Sequence, residues 1–149
     1  MLNSSISSLE KTSQSRQLVA ALQEERSAVW VLYCKIAEMK PEFANSEKVR
    51  PLLCRFSQLL IDYVSLGHFG IYEYLLTEKQ QTDAVLYYAN RLYPAFSNTT
   101  ATAIYFNDAY DDGRRKFNTE NLATDLSRLG ENLAKRMELE DRLCSMLLH

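Results

Sequence analysis

Glycine and proline are rare in this chain, with four and three residues among 149. Turns are therefore few, and a fold of many short strands is disfavoured against one of long helices. A basic excess is also missing: 17 Lys and Arg stand against 19 Asp and Glu, a net charge of −2. No global field then exists to attract nucleic-acid phosphates. The nearest thing to a basic patch, Arg114-Arg115-Lys116, follows Asp111 and Asp112 and reads as a solvated loop. There is no Cys-x-x-Cys. Cys34, Cys54 and Cys144 are odd in number, widely spaced and set in apolar segments, which points to inert core thiols in a reducing compartment and away from a zinc knuckle or redox pair. No apolar run reaches the roughly 18 residues that a membrane span needs. The start, MLNSSISSLEKTSQS, lacks the apolar centre of a secretion signal. The expectation is a cytoplasmic protein that does not bind membranes.

Chemistry-bearing motifs are equally scarce. The only histidines are His68 and His149, too few for a multi-histidine metal site, and no Glu-x-x-His pair of the di-iron kind occurs. A Gly-rich phosphate loop and a Gly-x-Ser-x-Gly elbow are both absent. The sequence thus predicts no cofactor, no metal and no catalysis, and His68 reads as a hydrogen-bonded structural residue.

What the chain does have is helical periodicity. Residues 1–14 carry only Leu2, Ile6 and Leu9 at helical spacing and are expected to be weakly ordered. From about 15 to 39, Leu18, Leu22, Val29, Leu32, Tyr33 and Ile36 repeat on one face, and Lys40-Pro41 closes the helix. A second helix is expected over about 49–78, a third over 80–93 ending before Pro94, and a fourth over 95–110. Asp111-Asp112-Gly113 reads as a turn. Asn118 is a candidate cap for a last helix reaching about 147 through Leu122, Leu126, Leu129, Leu133, Leu143 and Leu147. The predicted fold class is all-α: one domain spanning 1–149, a bundle of long antiparallel helices with short connections.

The second helix is unusual on both faces. At about 100° per residue, Leu53, Phe56, Leu60, Val64, Gly67, Ile71, Tyr74 and Leu75 form a continuous apolar stripe. A glycine inside that stripe costs about 1 kcal/mol against alanine, so Gly67 implies close approach of another helix. Gly70, three residues on, implies a local bend. The opposite face carries Arg55, Gln58, Asp62, Ser65, Leu66, Phe69 and Glu73. An aromatic anchor and an aliphatic neighbour among hydrogen-bonding groups is the composition of a protein-binding surface; the same residues also suit packing inside the bundle against arginines of other helices. The last helix interrupts its own stripe with Arg136 and Glu140, spaced i, i+4 and able to pair. If buried, Arg136 needs a carboxylate, for which Asp62, Glu73 and Glu140 are the candidates. His68, Tyr72, Arg136 and Glu140 are thereby grouped as a structural polar network.

The segments LLIDYVSLGHFGIYEYLL and LGENLAKRMELEDRL, with the start MLN and the pair Lys40-Pro41, resemble the Rsd/AlgQ family of bacterial anti-sigma regulators over essentially the whole chain. The resemblance implies an all-helical, non-enzymatic protein. It would bind region 4 of the primary sigma factor, keep it from the promoter −35 element and the polymerase core, and so favour alternative sigma factors. It leaves contact with the polymerase core itself open. Carried over by motif, Asp62, Ser65 and Phe69 would face sigma, on the face that also presents Leu66 and Glu73. One departure stands out: where the family tends to show Asp-Arg-Trp after Leu-Val, this chain reads LVAALQEER, with Ala20, Ala21 and Leu22 in that place and Arg26 retained. If that run contributes to the sigma surface, binding would be weaker or another protein partner preferred. A metabolic or stress-signalling partner, or less readily a small-molecule site around Asp62, His68 and Tyr72, are the competing expectations.

Overall fold

The computed structural model describes residues 2–77, 83–110 and 118–148, with side chains in 13–76, 83–110 and 118–148. Every regular element among them is helical: α1 (Leu2–Glu38), a 3-10 turn (Lys40–Glu42), α2 (Ser46–Ser65), a π-helical turn (Leu66–Tyr72), α3 (Glu73–Thr77), α4 (Asp83–Ala109) and α5 (Leu122–Leu148). None of the described helices is long and apolar enough to cross a membrane.

Apolar spacing sets the bundle. On α1, Val19, Leu22, Val29, Leu32 and Ile36 are buried, three or four residues apart or whole turns apart, as one helical face requires. On α5, Leu122, Leu126, Leu129, Leu133, Leu139, Leu143 and Leu147 do the same. Contacts between neighbouring helices run in opposite senses. Arg26 of α1 reaches Asp141 of α5, while Tyr33, two turns on, reaches back to the Leu126 carbonyl. Phe56 of α2 meets Phe106 of α4, and His68 meets Phe96. α1 packs on α2 and α5, and α4 on the same two. Between α1 and α2, Pro41 occupies the 3-10 turn and a Lys48–Glu42 ion pair at 2.7 Å ties the connection. Thr119, just before α5, donates to the Phe43 carbonyl and anchors that end of the bundle.

α1 begins at Leu2 and takes in the serine-rich start. Three expectations are altered. Pro94 does not divide two helices: α4 runs straight through it. Proline removes one helical hydrogen bond and crowds the preceding turn, but Pro94 is exposed. Ala89, Phe96, Thr99, Ala103 and Phe106 keep one buried face continuous on either side of it. Cys34 is exposed and only Cys144 is buried, so the thiols are not uniformly core residues. Asn118 accepts from the Glu120 N–H in a turn ahead of α5 and does not sit at the helix edge. The predicted turn at 111–113, the basic run 114–116 and the first residues of the predicted third helix lie outside the described residues.

Candidate interaction surface

The site is built where α2 changes its winding. Through Leu66–Tyr72 the backbone opens into a π turn, and Glu73 N–H donates to the His68 carbonyl five residues back as well as to Gly70. Such turns accommodate an extra residue per turn and recur at functional sites. They also turn the side chains beyond them relative to an ideal α wheel. Here the turn divides the surroundings in two, with a buried polar cluster behind it and a mixed surface in front.

Behind it, Arg136 and Glu140 of α5 are fully buried. The guanidinium donates from Nε to Glu140 Oε2 at 3.1 Å, from Nη1 to the Thr99 and Thr100 hydroxyls at 3.0 and 2.7 Å, and from Nη2 to the Val64 carbonyl at 3.1 Å. It also lies 4.2 Å above the Phe96 ring. Glu140 accepts in addition from the Tyr63 hydroxyl, and Arg26 of α1 approaches it at 3.8 Å while bonding Asp141 at 2.9 Å. Burial pushes Glu140 up and Arg136 down from their usual ranges, each opposed by the other's charge. Burial also raises the Tyr63 hydroxyl, with the Glu140 charge adding to it. The cluster can fix the register of α2, α4 and α5. Of the carboxylates considered for Arg136, Glu140 is the partner; Asp62 and Glu73 are exposed.

His68 and Tyr72 are not members of that cluster. His68 packs among rings, 5.0 Å from Phe69, 6.0 Å from Tyr93 and stacked on Phe96 at 5.9 Å. Its Nδ1 is buried with no hydrogen-bond partner among the described residues, so the expected hydrogen-bonded histidine is replaced by an aromatic-packed one. Tyr72 donates to the Ala89 carbonyl at 3.2 Å. The reason is directional: the π turn swings residues 68 and 72 toward α4, while the carbonyl of Val64 and the face of Gly67 meet Arg136. Tyr63, Thr99 and Thr100 were not picked out from the sequence as polar partners. A Thr-Thr pair inside an apolar helix was the available signal.

In front of the turn, Phe69 stands 64% exposed. Asp62 and Glu73 are exposed, and Ser65 and Leu66 half-buried. Leu66 leans over Gly70, whose missing side chain leaves room for Leu66 and for Leu18 of α1. Glu25 of α1 borders Asp62, and its carboxyl is raised by burial and by the Asp62 and Glu24 charges. The surface is therefore an exposed ring on an apolar shoulder with an acidic edge. On α1, Leu22 is buried and Ala20 exposed, so of the departing run the leucine serves the core and the alanine faces solvent. Among the described residues no group of His, Cys, Asp and Glu could hold a metal ion.

Comparison with known proteins agrees along the whole chain. The model of a family described as regulators of the RNA polymerase sigma(70) subunit, Rsd/AlgQ, matches residues 1–148. A regulator of sigma D from Enterobacter sp. (strain 638) is 33% identical over 150 residues, covering 99% of this chain and 90% of the relative. Regulators of sigma D from Yersinia pseudotuberculosis (serotype O:1b) and Yersinia enterocolitica are each 31% identical, over 96% of this chain and 86% and 87% of theirs. No solved structure matches.

Proposed function

The chain belongs to the Rsd/AlgQ family of regulators of the RNA polymerase sigma(70) subunit, and from that premise we propose that it is an anti-sigma factor that captures region 4 of the primary sigma factor. It acts in the cytoplasm, by stoichiometric binding and without turnover. Captured region 4 is withheld from promoter DNA and from the polymerase core, and alternative sigma factors gain access to the core. The contact surface is the α2 face of Asp62, Ser65, Leu66, Phe69 and Glu73.

The observation that carries this reading is the exposure of Phe69 beside an acidic edge. An aromatic ring left in water on a rigid helix is a ready anchor for a partner. A module that reads promoter DNA must itself be basic to meet phosphates. Asp62, Glu73 and Glu25 offer such a module the opposite charge, which raises the rate of encounter and sets orientation.

The test is a titration of the intact primary sigma factor from the same organism, and of the same factor lacking region 4, at low and high salt. One-to-one binding that disappears with region 4 and weakens as salt rises supports the reading. Equal binding by the truncated factor, or none by the intact one, contradicts it.

A further inference from the structure

The groove between α1 and α2 continues well past the Phe69 face. On α2, Arg55, Leu59, Asp62, Leu66 and Phe69 follow one another in steps of four and three residues, and on α1 Glu24, Ala28, Val31 and Lys35 do the same. Such steps keep side chains on one helical face. The two rows meet: Glu25 of α1 borders Asp62. Further along, Ala28, Val31 and Lys35 of α1 face Arg55 and Leu59 of α2 across a cavity of about 270 Å³. We propose that this groove seats a helix of the protein bound at the Phe69 face, and that the cavity at its far end receives a carboxylate side chain of that helix; the inference rests on the function proposed above.

Length and floor select a helix. Arg55 and Phe69 are separated by about four turns, or about 21 Å along α2. The floor of the groove is apolar: Val31 keeps 58% of its surface exposed, and Leu59 and Leu66 are half-buried. Ser27 and Ala28 are exposed on the α1 wall, and side chains that small let another helix axis come close. An apolar floor of this length between two helices is the setting in which an amphipathic helix docks through residues three and four apart.

Charge selects what the helix carries. Toward Phe69 the edge is acidic, with Glu24 and Asp62 exposed; at the cavity it is basic, with Lys35 and Arg55 exposed. The neighbours of Arg55 three and four residues away are Pro51, Leu52, Gln58 and Leu59, so its own helix supplies no carboxylate at pairing distance. Lys35 has Glu38 at that spacing, and the ion pairs found among the described residues include neither cation. A guanidinium and an ammonium beside an apolar floor suit a carboxylate, which the guanidinium can hold through two parallel hydrogen bonds. A basic side chain in the same place meets like charge, which costs affinity. The bound helix is therefore basic alongside Asp62 and acidic beyond Val31.

The experiment is a calorimetric titration of the intact primary sigma factor into the wild type and four variants. A partner drawn only by overall acidity binds equally well or better when any cation is reversed, so the groove makes the opposite prediction. Lys35→Glu and Arg55→Glu are each expected to weaken binding about fivefold or more. Arg128→Glu makes the same change of charge on α5 and is expected to hold or tighten binding. All three positions are exposed, so the substitutions leave the fold intact, which circular dichroism verifies. Phe69→Ala reports the face itself. If either reversal in the groove fails to weaken binding, or if Arg128→Glu weakens it as much, while Phe69→Ala still weakens it, the groove is overturned and the face stands. Failure of the wild type to bind overturns both.

Discussion

Arg136 Nη2 lies 2.8 Å from the point where a Cβ on Gly67 would stand, and Glu140 Oε2 lies 3.2 Å from it. The glycine in the middle of the α2 stripe is the seat of a buried guanidinium. The guanidinium is bonded on its other sides to Glu140, Thr99, Thr100 and the Val64 carbonyl, so it has nowhere to retreat. Gly67→Ala is therefore expected to destabilise the protein by about 1–3 kcal/mol through overpacking, despite a helix-propensity gain of up to about 1 kcal/mol. Urea unfolding followed by circular dichroism measures this, and a stabilised variant would show that the cluster yields.

The Arg136–Glu140 pair carries a second expectation. Removing one buried partner strands the other charge, so Arg136→Met and Glu140→Leu alone should each cost about 3–5 kcal/mol. The double variant should cost clearly less than the two summed, because it strands no charge. Denaturant midpoints of the four proteins decide it, and simple additivity would mean that the two side chains act independently.

The thiols should separate by reactivity. Cys144 is pushed up to about 11, first by burial and then by the Glu140 and Asp141 charges. A raised pKa keeps it a thiol at pH 8, and the thiolate is the form that alkylates. Cys34 is exposed. Under native conditions at pH 8, iodoacetamide should modify Cys34 at least about tenfold faster than Cys144, and mass spectrometry of tryptic peptides reads the ratio. Equal rates would mean that the C-terminal end of α5 opens readily.

Much of this was legible in the chain. The stripes of α1, α2 and α5 are long and regular, and period decides such elements. The i, i+4 spacing of Arg136 and Glu140 predicts their pairing, because helix geometry alone brings them together. Pro94 misled: a proline is a local stop, and whether a helix survives it depends on packing to either side, which no local pattern encodes. Gly67 and Gly70 marked an irregularity in α2, but a wheel at a fixed angle cannot reveal a π turn, which re-aims every side chain after it. That is why His68 and Tyr72, grouped with the polar cluster by sequence, pack with Tyr93 and Phe96. Tyr63, Thr99 and Thr100 come from two helices distant in sequence, and only the fold assembles them around Arg136 and Glu140.

The most direct measurement is the affinity of the wild type and of Phe69→Ala for region 4 of the primary sigma factor, by calorimetry, with thermal unfolding of both run alongside. Phe69 is 64% exposed, so its removal should leave the melting temperature nearly unchanged. Loss of an aromatic anchor costs about 2 kcal/mol or more, a weakening of roughly 30-fold. One-to-one binding by the wild type with that loss in the variant is the expected result. Equal affinity of the two proteins would place sigma on another face, and no binding by the wild type would contradict the function itself.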